Sequence, residues 1–198
     1  LFRTGTVDVS RVVALGGPLV KNPRLVRTRI GACTAMLTEG EVAEGEARVV
    51  AGSVLCGRTA SSDEDAYLGR YHDQVSVLAE YREREFLGWL RPGGDIFSTT
   101  RAFLSGLFPS KTYDFNTTTN GSPRAMVPIG MFEGVMPLDI MPTFLLRSLV
   151  VDDVGRAEEL GALELTEEDL SLCSFVSPGK VDFGVALRRN LTDIWKEG

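Results

Sequence analysis

The apolar residues of this 198-residue chain change their spacing once, near Leu138. Before that point they alternate or gather in short bursts, as strands require. After it they recur every three to four positions, as one face of a helix requires. The fold class that follows is α+β, strands first and helices last. Residues 11–15 form an apolar run that meets Gly16-Gly17-Pro18, a turn signal. In residues 25–30, Val26, Thr28 and Ile30 face one way and Arg27 and Arg29 the other. A short helix is predicted at 34–37, ended by Gly40. Residues 48–60 read as β-rich, with Gly52 and Gly57 as bulges. Residues 74–80 and 85–91 are further strand candidates, the second closed by Pro92-Gly93-Gly94. A small mixed sheet with one helix, of the β-grasp kind, is expected over residues 1–95.

Residues 96–137 read as a connection. Ser98 is expected to cap a short helix carrying Phe103, Leu104, Leu107 and Phe108. Residues 113–118, Asn120-Gly121 and residues 124–129 resemble a hairpin, with Pro128 making the second arm an edge strand. Residues 138–198 read as four helices. The first is capped by Asp139, with Pro142 in its first turn and Leu138, Met141, Leu145 and Leu149 inward. The second is capped by Asp152 or Asp153 and ended by Gly161. The third starts at a capping box, Thr166 with Asp169, and runs to Val176. The last is capped by Asp182, with Leu187, Leu191, Ile194 and Trp195 inward.

Composition removes several function classes. One histidine cannot build a multi-histidine metal site. Cys33, Cys56 and Cys173 form no C-x-x-C pair, and an odd cysteine count fits a reducing compartment better than a disulfide framework. Net charge is −6, distributed as +5 over residues 1–35, −5 over 36–65, +1 over 66–124 and −7 over 125–198. No long basic stripe interleaved with aromatics marks a nucleic-acid surface. The most apolar stretch, residues 138–151, is broken by Asp139, Pro142, Arg147 and Ser148, and a membrane span needs about 20 mostly apolar residues. Arg3, Asp8 and Arg11 interrupt any signal-peptide core, and the start at Leu1 without Met suggests a natural N-terminus upstream.

Few residues carry chemistry. His72 stands beside Asp73, but neighbours on an extended chain point to opposite faces, so a structural histidine is expected. Gly16-Gly17-Pro18 and Pro92-Gly93-Gly94 match no phosphate-loop pattern and read as turns. Asp63-Glu64-Asp65 reads as a solvated loop, and Glu167-Glu168-Asp169 as acids favouring a helix start. Asparagines 116, 120 and 190 fall in glycosylation triplets, read as chance matches without a secretion signal. The segment after Leu172 is more specific. Cys173, Ser177 and Pro178 keep the C-x₃-C-P spacing of ferredoxin-type sites, with serine in the second position. One thiolate cannot hold a four-iron cluster, so the competing reading is a buried cysteine on an amphipathic helix.

Longer runs carry a resemblance. R-T-G-T-V-D-V-S-R-V-V-A-L-G-G-P (from Arg3), Y-L-G-R-Y-H-D-Q-V-S-V-L-A-E (from Tyr67), R-A-M-V-P-I-G (from Arg124), V-M-P-L-D-I-M-P-T-F-L-L-R (from Val135) and L-E-L-T-E-E-D-L-S-L-C (from Leu163) are similar to the C-terminal part of the A-type subunits of the bacterial Na⁺-translocating NADH:quinone oxidoreductases (Nqr complexes). The resemblance spans essentially the whole chain. It implies an SLBB domain of β-grasp type over residues 1–95, the connecting helix and hairpin over 96–137, and over 138–198 a helical domain whose relatives carry iron–sulfur ligands. Cys173 and Ser177 then become the remnant of a lost iron–sulfur motif. It further implies a peripheral component on the cytoplasmic side of the bacterial inner membrane, docked on the B-type membrane subunit, in a complex that couples NADH-to-ubiquinone electron transfer to Na⁺ export. NADH, flavin and iron sites belong to other subunits. Ubiquinone is associated with the full-length A-type protein, and no catalytic, cofactor or metal residue carries over onto this chain.

Two functions from different classes are expected. The first is a non-catalytic assembly part, with Arg124, Met126, Pro128, Met131, Phe132 and Met136 as the candidate interface with other subunits and core packing as the competing reading of that run. The second is an independent SLBB module for a soluble small molecule.

Overall fold

The computed structural model describes residues 1–60, 65–82 and 86–197. The chain divides into two compact units, Leu1–Thr118 and Thr119–Gly198, so the expected connection is shared between them: residues 96–118 go with the first, 119–137 with the second.

The first unit is built on a mixed five-stranded sheet of order β2-β1-β5-β3-β4. Strand β1 (Ser10–Gly16) pairs antiparallel with β2 (Arg24–Arg29) and parallel with β5 (Gln74–Ala79). On the far side of β5, β3 (Ala47–Ala51) runs antiparallel to it and to β4 (Arg58–Thr59). A single helix α1 (Thr34–Thr38) lies in sequence between β2 and β3. Alternation decides the faces: Val13, Leu15, Val75 and Val77 are buried, with Val26 against them, while Leu25, Arg27 and Arg29 are exposed. Two glycines are needed for close approach rather than for bulging. Gly17 has φ +124, and a Cβ there would lie 2.3 Å from the Val77 carbonyl oxygen on β5. Gly52 and Gly57, expected as bulges, bound the loop joining β3 to β4. A side chain at Gly57 would strike the Ser53 carbonyl oxygen at 2.4 Å.

Of the strand expected at 85–91, the described residues 86–91 form none. Glu85 lies outside the described residues, and Gly88–Leu90 is a 3₁₀ turn entered through Leu87 at φ +52. Ser98 caps nothing; its carbonyl accepts from Arg101 N, and the later 3₁₀ turn, Leu104–Leu107, starts from Phe103. The expected hairpin is also absent. Its first arm makes a bridge at Asn116 with Ala79 on β5, and its second arm bonds from Arg124 N to the Gly179 carbonyl, 2.7 Å. Each arm finds a partner distant in sequence in place of the other, and Pro128 is no edge strand.

The second unit is helical: α2 (Pro142–Val150), α3 (Val154–Glu159), α4 (Ser171–Val176) and α5 (Phe183–Glu197), with a 3₁₀ turn at Ala162–Glu164. Helix α2 begins two residues later than expected. Pro142 takes the first helical position and Met141, not Asp139, precedes it, so Leu138 and Met141 stay exposed while Leu145, Leu146 and Leu149 are fully buried. Asp153 caps α3 by accepting from Arg156 N, 3.2 Å. Asp182 caps α5 by accepting from Gly184 N (3.1 Å) and Val185 N (3.3 Å). Half of the capping box at Thr166 forms: the Asp169 carboxylate accepts from Thr166 N at 2.8 Å and from the Thr166 hydroxyl at 3.0 Å. Trp195, expected inward, is 81% exposed. The buried line of α5 passes Phe183 and Leu187, then turns through Asn190 and the half-buried Ile194, which rotates Trp195 to solvent. Among the described residues, no helix is long and apolar enough to cross a membrane.

Candidate functional site

The two sequence features singled out in the second half meet at one place. Helix α4 carries Cys173, and Ser177 ends it. The hydroxyls after the cysteine fasten the turn into α5. Ser174 Oγ accepts from Phe183 N at 3.0 Å, and Ser177 Oγ accepts from Val181 N at 3.4 Å. The strand-like segment from Arg124 lies directly on that turn. Arg124 N donates to the Gly179 carbonyl, and a Cβ on Gly179 would sit 2.6 Å from the Ala125 carbonyl oxygen. Gly179 thus admits the segment, a role visible only once both chain passes are placed.

Cys173 is fully buried in the helical core. Burial pushes its thiol up to about 11, with the Glu133 carboxylate adding to the shift. Metal binding requires a thiolate. Ser177, at the second position of the motif, is 1% exposed and its hydroxyl already accepts from the backbone. Among the described residues, no group of three His, Cys, Asp or Glu side chains converges where a metal could sit. An iron–sulfur cluster does not fit these residues.

The candidate interface run divides by burial. Phe132, expected at an interface, is fully buried and meets Phe183 edge-to-face, ring centroids 5.3 Å apart. Met126, Met131 and Met136 are half-buried against the same core. Packing therefore takes Phe132 away from any partner, because a ring with no exposed surface cannot dock. The larger side chains that the run exposes are Arg124, Val127, Pro128, Ile129 and Glu133.

In the first unit, His72 is half-buried and its Nδ1 accepts from Gly69 N, 3.3 Å. A Cβ at Gly69 would lie 3.0 Å from Nδ1, and one at Gly52 3.3 Å from Cδ2, so two glycines make room for the ring. Asp73 turns elsewhere and pairs with Arg11, Oδ1 to Nη1 2.9 Å. The adjacent histidine and aspartate form no dyad. The acidic clusters divide likewise. Asp63 and Glu64 lie outside the described residues, and Asp65 pairs with Arg58 at 3.6 Å. Glu167 pairs with Arg188, whose guanidinium holds its carboxyl below the usual range against an opposing push from burial.

Residues 12–62, from β1 to just past β4, match the family model described as the NQRA C-terminal domain. All 198 residues align at 60% identity with the A-type subunit of the Na(+)-translocating NADH-quinone reductase of Cellvibrio japonicus. The corresponding proteins of Hahella chejuensis and Shewanella amazonensis align over the same length at 57% and 58%. The sheet unit thus carries a domain of the NQRA type. Along its whole length the chain is similar to the A-type subunits of the Na(+)-translocating NADH-quinone reductases, and it spans 44% of the length of these relatives.

Proposed function

We propose that this chain is a non-catalytic structural part of a Na⁺-translocating NADH:quinone reductase, holding subunits together rather than passing electrons. The observation that carries this reading is Cys173. The one thiol at ligand spacing is buried, protonated far past neutral pH and followed by a serine engaged with the backbone. His72 and Asp73 are similarly taken up by local packing and by Arg11. In the complex so named, electrons pass from NADH to ubiquinone with export of Na⁺, and the NADH, flavin and iron sites lie on other subunits. This chain acts on the cytoplasmic side of the inner membrane, against the B-type membrane subunit, and helps shape a quinone site of the whole A-type protein.

The β-grasp reading of residues 1–95 is supported by the sheet order, with parallel β1 and β5 at the centre and α1 between β2 and β3. A degenerate iron–sulfur helical domain is supported by the spacing of Cys173, Ser177 and Pro178 at the end of α4. The assembly surface is the exposed part of the methionine-rich run, Arg124 and Pro128 with their neighbours Val127 and Ile129. Val127→Asp with Ile129→Asp in the tagged full-length protein tests it. Loss of the other subunits on purification, with circular dichroism unchanged, is expected. Normal assembly of that folded double variant overturns the interface.

A further inference from the structure

Strand β2 ends the sheet, and its pairing register says what its open side presents. Ile30 N donates to Val9 O, and Ser10 lies opposite Arg29. In an antiparallel ladder the bonded pairs alternate. Thr28, Val26 and Arg24 therefore bond inward to β1, and the N–H and C=O groups of Leu25 and Arg27 point away from the sheet. The solvent face above them is apolar with a basic end. Leu25 is 72% exposed and Val12, opposite Arg27, is 50% exposed. Arg24 pairs with Glu41, and Arg11 with Asp73. Among the described residues Arg27 and Arg29 make no close ion pair; the single acid of residues 1–35, Asp8, accepts from Ser10 N and feels the Arg27 charge only as the weakest influence on its carboxyl.

We propose that β2 is a docking edge for an extended acidic segment of a partner polypeptide, which adds beside it as a sixth strand. Main-chain bonds to Leu25 and Arg27 would hold the segment, and acidic side chains across from Arg27 and Arg29 would select it. A second copy of this chain is a poor occupant, since pairing β2 with itself sets arginine against arginine. The inference rests on the assembly reading above, because the partner is sought within the complex.

Amide hydrogen exchange in the purified complex and in the full-length A-type protein purified alone provides the test. Exchange at Leu25 and Arg27 is expected to slow about tenfold or more on assembly, while Val26 and Thr28 are slow in both. Arg27→Glu with Arg29→Glu should weaken co-purification of the complex and Arg27→Lys with Arg29→Lys should restore it. Equal exchange at Leu25 and Arg27 in a complex that still co-purifies overturns the sixth strand and leaves the assembly reading standing. So does a charge-reversed variant that assembles normally, because the arginines would then select no acidic strand. Slow exchange in the isolated protein, with a dimer in solution, would assign the edge to a second copy. Failure of the wild-type protein to co-purify would remove the assembly reading and this inference together.

Discussion

The sheet unit and the helical unit close their interiors differently. Among the described residues, the buried cluster of the first is aliphatic, centred on Val13, Leu15, Val75 and Val77, and contains no aromatic ring. The second gathers four helices around Phe132 and Phe183, with Leu145, Leu146, Leu149 and Leu187 completely enclosed. The rings of the first unit sit outside that cluster: Phe97 meets Tyr113 and Phe115 edge-to-face in the segment after the sheet. Stability in the sheet unit is spread along backbone ladders and cross-strand pairs such as Arg48 with Glu80. In the helical unit it is concentrated in a few large side chains, and damage should follow the same division.

The comparison is tested most severely by Phe132→Ala. Removing a fully buried ring typically costs about 3–5 kcal/mol, and urea denaturation followed by circular dichroism should show the helical unit giving way first. A loss under about 1 kcal/mol would mean that the core is less concentrated than its burial indicates. Next comes a pair of glycines. Gly17→Ala places a side chain at φ +124 and against the Val77 carbonyl, and the backbone conformation alone costs about 1–3 kcal/mol. Gly179→Ala meets the Ala125 carbonyl without that conformational penalty, so the first substitution should lower the melting temperature of its unit more. Asp182→Ala removes the cap of α5 at a cost of about 1 kcal/mol, read as a smaller shift in the urea midpoint.

Two further effects concern protons. Cys56 is exposed and Cys173 buried. Iodoacetamide at pH 8 should label Cys56 and leave Cys173 unmodified in the folded chain, as peptide mass spectrometry would show. Since the folded thiol titrates at about 11 against an ordinary 9.0, its contribution to stability is complete below pH 9 and is lost as pH rises toward 11. Glu80 has the opposite sign. Burial pushes its carboxyl up, but hydrogen bonds from Arg48 (2.6 and 2.7 Å) and Thr117 (3.1 Å) outweigh that and hold it below the ordinary value of 4.5. Its contribution is present above 4.5 and disappears as pH falls through the lower folded value. The difference between wild type and Glu80→Gln in urea midpoint should therefore shrink on acidification from pH 7 to pH 3.

Local signals identified the elements whose partners are close or whose faces are strictly periodic. Val26, Thr28 and Ile30 alternate as β2 requires, Gly40 stops α1 at φ +71, and Asp153 and Asp182 cap the helices that follow them. Where a distant partner decides, the same signals mislead. Asn120 adopts the expected left-handed turn at φ +52, yet the arms on either side bond to Ala79 and Gly179 instead of each other. For the candidate site, the cysteine–serine spacing was legible, but the seat that Gly179 makes for Ala125 was not. Nor was the burial of Phe132, because a methionine-rich run looks the same whether it packs inward or faces a partner.

The parallel pairing of β1 with β5 sets a schedule for synthesis. β1 and β2 leave the ribosome as a hairpin, but Ala14 and Leu15 wait for Gln74 and Val75, about sixty residues later. At ribosomal speed that interval is roughly 3–12 s. Throughout it, the Val12-Val13-Ala14-Leu15 strand shows its unpaired edge to solvent. A nascent chain built this way calls for shelter from a chaperone for those seconds, whatever the stability of the finished sheet.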